Sequence, residues 1–312
     1  MSVKRAVILF NLGGPLRRAG IQPFLFSFFM DRNIIDLPLP FRFLVAQFIS
    51  RTRARGAADE AYKLLGYKSP LLDNTRAQAL ALEQKLKNAK VFVCMRHARP
   101  RAAEVVKQVK AYRPDEIVLL PLYPQYSKTT TGSAFEDWDR AAQSLKDIPL
   151  RRIESYPADP GFIAASADNI KKKLDGAPRK TRLLFSAHGL PEKIIAGGDP
   201  YQAQCEQTAA AIVKKLGLPE LDWKLCYQSR VGPLKWIGPS TLEELLRAGS
   251  DRLGVVIYPL AFVSEHVETL VEIDIEYRHL AQRMRLPYFE KAETAGTHPA
   301  FIDGLAALAR GG

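Results

Sequence analysis

Residues 6–15 read AVILFNLGGP, an apolar run that stops at two glycines and a proline. A short apolar run bounded by turn-forming residues predicts a buried strand. Other runs share this character, and together the predicted strands span residues 6–12, 91–95, 116–124, 182–187, 223–228 and 252–262. Strands that are apolar along nearly their whole length are typical of parallel sheets with both faces covered.

Longer segments with helical periodicity separate these strands. They lie near residues 72–88, 100–112, 200–216, 240–248, 265–284 and 299–310. Strands that alternate with helices predict an α/β protein. The alternation runs twice, with a break around residues 149–160, so we expect two doubly wound domains with parallel sheets that face a central cleft.

Composition limits the class of protein. The chain has 312 residues, of which 47% are hydrophobic, and this length suggests two domains. Three cysteines, Cys94, Cys205 and Cys226, lie far apart, which argues against a disulfide framework or a thiolate zinc site and fits a reducing compartment. No stretch reaches the ~18 to 20 apolar residues of a membrane-spanning helix, so we expect a soluble, cytoplasmic protein.

The formal net charge of +12 indicates an anionic partner. The sequence has no recognisable nucleic-acid motif, so nucleic acid is the weakest candidate. The apolar segment 24–49 is followed by Arg51, Arg53 and Arg55. This order suits a lipid headgroup layer or a flat apolar ligand with carboxylates, and it equally suits a core helix with a solvated basic end.

Polar residues follow several predicted strands, and ligands of doubly wound folds bind at the carboxyl ends of the strands. His188 follows strand 182–187 directly, and the acidic stretch SEHVETLVEIDIEY (264–277) begins after the last strand. Since both strand ends lie at one edge of a sheet, we expect His188 and Glu268 to face one another.

The acidic stretch itself allows two interpretations. On an α-helix Glu265, Glu268, Glu272 and Glu276 fall within an arc of about 80°. Such a stripe is either a solvated face of an amphipathic helix or a ridge that handles cations or protons.

Several strings resemble the ferrochelatase family, whose members insert Fe²⁺ into protoporphyrin IX to make haem. They include LFNLGGP (9–15), SAHGLP (186–191), YQSRVGPLKWIGPST (227–241) and FVSEHVETLVEIDIEY (262–277), in family order. The resemblance covers the whole chain. It implies two Rossmann-like domains of the chelatase type, over residues 1–150 and 151–297, with a C-terminal helix, 298–312, that returns to the first domain.

The resemblance also implies roles for residues. His188 would be the catalytic histidine and Glu268 its acidic partner, both in contact with the metal, while Glu265 and Glu272 would continue the metal path. Part of this segment would form a π-helical turn. Whether His188 is chiefly a proton acceptor or a metal ligand stays open.

Further residues are implied around this pair. A lip at about 22–50 would wall the porphyrin pocket and touch the membrane. Arg53, Tyr62, Ser69 and Tyr126 would contact the porphyrin, and His266 and Trp236 would lie behind the catalytic pair.

The chain departs from the family pattern in two places. GYKSP stands where the family usually has GGGSP, so Tyr67 and Lys68 replace small residues, and His97 in MRHARP replaces a tyrosine. Both departures put the shape of the pocket in doubt.

The resemblance finally implies ligands and partners. Fe²⁺ is a substrate, no permanent cofactor is expected, and the absence of a cysteine-bearing C-terminal extension argues against a [2Fe–2S] cluster. Expected partners are protoporphyrin IX and, transiently, an anionic membrane surface at the cytoplasmic face, with a monomer or weak dimer as the assembly. The alternatives are a related chelatase, acting on coproporphyrin or of the cobalt type, and a non-enzymatic haem carrier.

Overall fold

The computed structural model describes residues 3–230 and 234–311. Its described part divides into two compact units. The first comprises Met1–Leu122, Ser127–Glu154 and Ala306–Gly312, and the second comprises Tyr123–Tyr126 and Ser155–Leu305.

The first unit is built on a four-stranded parallel sheet. Its strands are β1 Arg5–Asn11, β2 Ala89–Met95, β3 Glu116–Pro121 and β4 Leu150–Arg152, in the order β2-β1-β3-β4. Residues 6–10 of the central strand β1 are at most 1% exposed. Strand β1 is therefore buried on both faces, as its sequence predicted.

The second unit repeats this arrangement. Its strands are β5 Thr181–His188, β6 Trp223–Gln228, β7 Gly254–Pro259 and β8 Phe289–Lys291, in the order β6-β5-β7-β8, again all parallel. The α/β prediction is confirmed. His188 is the last residue of the central strand β5, which places it at the carboxyl edge of the sheet.

Helices cover the sheets. Those before residue 150 are α1 Ile21–Phe29, α2 Leu39–Ala54, α3 Ala57–Leu64, α4 Leu71–Lys85, α5 Ala102–Tyr112 and α6 Ser133–Ala141. Those after it are α7 Pro160–Leu174, α8 Glu192–Ala196, α9 Tyr201–Leu216, α10 Thr241–Ser250, α11 Arg278–Arg283 and α12 Pro299–Arg310. Short 3-10 turns lie at Arg18–Gly20 and Ala142–Leu145, and π-helical segments at Lys128–Gly132 and Glu268–Tyr277.

Several elements differ from the sequence prediction. Strands predicted at 116–124 and 252–262 end earlier, at Pro121 and Pro259, because proline lacks the N–H that a ladder needs. Helix α7, which Asp159 caps by accepting a 2.8 Å hydrogen bond from the Phe162 N–H, was not predicted. The helical stretch predicted near 265–284 contains the π-helical segment Glu268–Tyr277, a feature that the family resemblance implied, followed by α11.

Candidate active site

His188 is held at the end of β5 by a contact within its own loop. Its Nδ1 lies 2.7 Å from the carbonyl oxygen of Gly189. Because a carbonyl only accepts, Nδ1 carries the proton of the neutral ring, and Nε2 keeps its lone pair. The side chain is partly exposed, so that lone pair is available to a ligand.

Glu268 opens the π-helical segment Glu268–Tyr277 and lies between two imidazoles. Its Oε1 is 3.7 Å from Nε2 of His188, and its Oε2 is 3.6 Å from Nε2 of His266. Both distances exceed a direct hydrogen bond, but they are short enough for a carboxylate to stabilise a protonated imidazole. The structure thus brings the predicted pair His188 and Glu268 together.

His266 is buried and oriented in the same way. Its Nδ1 lies 3.2 Å from the carbonyl oxygen of Ser264, and its ring packs on Phe262 with the centroids 4.5 Å apart. Nε2 therefore also carries the lone pair when the ring is neutral. The predicted position of His266 beside Glu268 agrees with this geometry.

The π-helix changes which side chains meet. Hydrogen bonds of the i→i+5 type replace those of the α-helix, so residues four apart no longer stack on one face. Glu276 is exposed, whereas Glu268 and Glu272 are partly buried. The hydroxyl of Tyr277 instead donates to Glu272, five residues earlier, over 3.0 Å. The four carboxylates predicted to form one stripe therefore do not share one environment.

Glu272 is a partly buried acid of this segment with several hydrogen-bond donors around it. It accepts hydrogen bonds from the Ser229 N–H (3.0 Å), the Ser229 hydroxyl (2.6 Å) and the Tyr277 hydroxyl. Burial, and then the negative charge of Glu268, nevertheless raise the pKa of Glu272 above its ordinary value. Ser229 and Tyr277 were not predicted, although i→i+5 spacing would have pointed to Tyr277.

Glu265, in contrast, has a lowered pKa. One oxygen lies 3.0 Å from Nζ of Lys291 and accepts from the Thr294 N–H, and the other accepts from the Thr269 hydroxyl over 2.6 Å. Burial opposes its ionisation, yet Lys291 and these donors hold the pKa of Glu265 below its ordinary value. Thr269 in turn accepts from the His266 N–H, so Glu265 fixes the backbone that carries His266.

Two more residues fix the loop of His188. Trp236 packs on Gly189, where a Cβ would lie 3.3 Å from Cε3 of the indole and 2.9 Å from the carbonyl oxygen of Gln228. Only glycine fits there. The hydroxyl of Tyr201, on α9, donates to the carbonyl oxygen of His188 over 3.0 Å. Trp236 was predicted behind the pair, whereas Tyr201 was not singled out.

The first unit brings two of the predicted porphyrin-binding residues together. Ser69 donates its N–H to the carbonyl oxygen of Pro15 over 2.8 Å. A Cβ on Gly14 would lie 2.5 Å from the Ser69 hydroxyl and 3.8 Å from that of Tyr62. Tyr62 and Ser69 thus both lie at the loop that follows β1. Arg53 lies in the last turn of α2, and Tyr126, in the second unit, donates its N–H to Gln204.

Among the described residues, no group of three or more histidine, cysteine, aspartate or glutamate side chains is arranged to hold a metal ion. The metal set named from the sequence stays a prediction.

Comparison with known proteins identifies the family. The family model described as Ferrochelatase matches residues 4–311.

This chain belongs to the ferrochelatase family.

Its relatives confirm the assignment. A ferrochelatase from Wolbachia sp. subsp. Drosophila simulans is 50% identical over 315 residues, which cover 98% of both chains. Ferrochelatases from Caulobacter vibrioides and Rickettsia felis are 49% and 47% identical, and cover 99% and 98% of this chain and 90% and 89% of theirs.

Solved chelatases share the fold. SirB from Bacillus subtilis with Fe³⁺ has a TM-score of 0.62 at 12% identity, and the match covers 98% of this chain and 94% of SirB. CbiX, described as the terminal enzyme for the biosynthesis of sirohaem in denitrifying bacteria, has a TM-score of 0.52 at 14% identity over 98% of both chains. At these identities the likeness confirms the chelatase-like fold alone.

The departures from the ferrochelatase pattern have structural consequences. Tyr67 has a φ of 63°, in the left-handed region that favours glycine. The Arg18 guanidinium lies 5.3 Å from its ring centroid. Lys68 pairs with Asp73 over 2.6 Å at an exposed site.

His97, in place of the usual tyrosine, is buried. Its Nδ1 lies 3.4 Å from the Ser27 hydroxyl and its Nε2 lies 3.9 Å from Asp31. Asp31 is already paired with Arg96 over 2.8 Å and hydrogen-bonded to Ser133. Burial, and then the charges of Arg96 and Arg101, hold the pKa of His97 well below its ordinary value, so His97 is neutral near pH 7.

Proposed function

We propose that His188 and Glu268 remove the pyrrole protons while Fe²⁺ enters protoporphyrin IX, the insertion reaction of the ferrochelatase family. The carboxylate of Glu268 between two imidazoles, each with a lone pair on Nε2, is the observation that carries this proposal. The product is protohaem, and Fe²⁺ and porphyrin are both substrates.

The proton balance follows from the geometry of His188. Nε2 of His188 accepts the proton of a pyrrole N–H, and the electron pair of that bond stays on the pyrrole nitrogen, which then binds Fe²⁺. The resulting imidazolium lies 3.7 Å from Oε1 of Glu268, whose charge stabilises it. This arrangement favours His188 as a proton acceptor over a metal ligand.

Two protons leave per porphyrin, so His188 must pass on the first before it takes the second. Glu272 is suited to receive it, since burial and Glu268 raise the pKa of Glu272. Glu265 is not, because Lys291 keeps it ionised. Carboxylates are also hard ligands that Fe²⁺ leaves readily, so Glu268 and Glu272 suit delivery of the metal as well.

Arg53, Tyr62, Ser69 and Tyr126 are proposed to bind the porphyrin. The hydroxyls of Tyr62 and Ser69, next to Gly14, present donors of the kind that a propionate accepts. No permanent cofactor is expected.

The lip is proposed to bind a membrane surface from the cytoplasmic side. Exposed apolar side chains cluster before and along α2, at Leu37, Leu39, Phe41, Phe43, Leu44 and Phe48. Arg51 and Arg55 follow on the same helix or at its end, and both are exposed. Within residues 3–230 and 234–311, every helix is too short or too polar to cross a bilayer, so contact would be peripheral.

The variant His188→Ala tests the proposal. Metal insertion, followed by the Soret band with Fe²⁺ or Zn²⁺ and protoporphyrin, should fall by about 10²–10⁴-fold, the usual contribution of a positioned acid–base group. Porphyrin binding, measured by quenching of porphyrin fluorescence, should persist. The exposed His279→Ala is the matched control and should retain full activity. A His188→Ala protein within a few-fold of wild type would overturn the assignment.

A further inference from the structure

One pocket of the second unit is lined by none of the residues proposed for iron insertion. It has a volume of about 240 Å³ and lies between the start of α9, strand β6 and the turn at 238–239. Trp223, Leu225 and Tyr227 alternate along β6 and therefore point to one face of the strand. This pocket is open enough for a small molecule and has an aromatic and aliphatic wall.

The hydroxyl of Tyr227 makes no hydrogen bond within the described residues. The residue is 1% exposed, and its buried hydroxyl has no hydrogen-bond partner among the described residues. A buried hydroxyl without a partner loses the hydrogen bonds that water would give it. A ligand in the pocket would restore one.

The charged side chains at the rim of this pocket indicate which kind of ligand it binds. Glu206 lines the pocket and is exposed, and its carboxylate accepts a 3.3 Å hydrogen bond from the side-chain amide of Gln202. Arg230 packs against the turn at Gly238. Its guanidinium is already engaged by the carbonyl oxygen of Ile237 over 2.8 Å, with Glu243 at 3.8 Å.

We infer that this pocket binds a small organic cation, an alkylammonium or alkylguanidinium, through Glu206, Tyr227 and the ring of Trp223. The cation donates to the Glu206 carboxylate and to the Tyr227 hydroxyl, and it lies against the indole face. The side-chain amide of Gln202 donates to Glu206 through its nitrogen and offers its oxygen as a further acceptor, and Leu225 and Pro239 contact the alkyl part. The volume suits a short alkyl chain rather than a drug-sized ligand.

Isothermal titration with n-butylguanidinium tests the inference, with the isosteric but neutral n-butylurea as the control ligand. Butylguanidinium should bind and butylurea should bind about tenfold more weakly or not at all. Glu206→Gln should weaken binding of the cation about tenfold, or about 1.4 kcal/mol. Glu220→Gln, an exposed carboxylate outside the pocket, should leave it unchanged.

Tyr227→Phe adds a test that does not depend on folding defects. Since the hydroxyl has no partner in the described structure, its removal should not lower the melting temperature, but it should weaken butylguanidinium binding several-fold. Iron insertion should stay within twofold of wild type in both variants, which separates this site from the proposed active site. Equal affinity for urea and guanidinium, no binding at millimolar concentration, or a Glu206→Gln protein that binds like wild type would overturn the inference.

A last comparison distinguishes the source of the cation. A capped Gly-Arg-Gly peptide that binds at least as tightly as butylguanidinium would indicate an arginine side chain of a peptide. A peptide that binds more weakly would indicate a free small molecule.

Discussion

Two glutamates of one short segment differ in proton affinity because their neighbours differ. Glu265 faces Lys291 and stays ionised, whereas Glu272 is buried beside Glu268 and has a raised pKa. Environments that push the pKa values of neighbouring acids apart are typical of sites that move protons. The residue types could be predicted from the sequence, but their partners Lys291 and Ser229 come from distant segments and could not.

Single substitutions of Glu268, Glu272 and Glu276 by glutamine test the proposed roles of the first two. Glu268→Gln should reduce metal insertion severely, by about 10²–10⁴-fold, because His188 loses the charge that stabilises its protonated form. Glu272→Gln should slow turnover more mildly, since it acts one step later. Glu276→Gln is the control from the same segment and should keep full activity. Steady-state rates and thermal melts measure these effects. Equal activity in all three variants would show that the segment is only a solvated helix face.

The buried His97 predicts a pH dependence of stability. In the unfolded chain its imidazole binds a proton near the ordinary pKa of 6.5, whereas in the folded protein burial prevents this until a much lower pH. The unfolded state therefore binds more protons below pH 6.5, so this stability is present above that pH and is lost as the pH falls.

The variant His97→Phe removes this contribution. Between about pH 7.5 and about pH 5.5 the wild-type free energy of unfolding should fall by about 1 kcal/mol more than that of the variant. Urea unfolding at both pH values measures the difference, and His279→Phe, at an exposed position, should keep the wild-type slope. A His97→Phe protein with an unchanged slope would show that His97 titrates normally.

At the scale of elements, the sequence predicted regular structure better than irregular structure. Strand β6 was predicted at its observed bounds because a buried strand is a local apolar run. The three-residue strands β4 and β8 were missed because so short a run has no period. The π-helix at 268–277 follows from no propensity in the residues. Its apolar side chains Val271 and Ile273 are buried, as they would be in an amphipathic α-helix.

Helix α2 is the element for which membrane binding is predicted. Phe48 and Leu44 are 72% and 65% exposed, and burial of each in a lipid interface is worth about 1.5–3 kcal/mol. Phe48→Ser and Leu44→Ser should each weaken sedimentation with anionic vesicles about tenfold or more. Leu246→Ser, at an exposed leucine of α10, is the control and should bind like wild type.

The salt dependence of vesicle binding is a second test of the membrane role predicted for α2. Arg51, Arg53 and Arg55 should each add roughly 1 kcal/mol near an anionic surface, and this part should weaken as salt rises. Vesicle binding that is absent, or insensitive to salt, would contradict the predicted role of α2.

At the scale of the whole molecule, both sheets have one strand order, with the earliest strand of each unit in the second position. The double α/β rhythm of the sequence predicted two such sheets. This rhythm does not indicate which distant segments join each unit, and the return of the C-terminal helix to the first domain was implied by the family resemblance alone. The first unit, for example, includes Ala306–Gly312, where Arg151 donates to the carbonyl oxygens of Leu308 (2.7 Å) and Ala309 and lies 3.3 Å from Glu116.

Arg151 should therefore contribute to the stability of the first unit. Arg151→Gln removes a charged donor from two helix-terminal carbonyls and should lower the free energy of unfolding by about 1.5–3 kcal/mol. Urea unfolding measures this loss. Arg140→Gln, which removes an exposed pair with Asp137, should cost less than about 1 kcal/mol. Equal effects of the two substitutions would show that the Arg151 contacts are energetically neutral.

The π-helix at 268–277 makes this segment sensitive to its length. A π-helical turn holds about one residue more than an α-helical turn, so deletion of a single residue would let the segment relax to a regular α-helix. Tyr277 would then no longer reach Glu272, although every side chain named for catalysis would still be present. Substitutions that keep the residue count preserve the register, whereas insertions and deletions rotate one half of the segment against the other. We therefore expect a change in the number of residues between Glu268 and Tyr277 to leave the ferrochelatase fold intact and to disrupt the arrangement of the proposed active site.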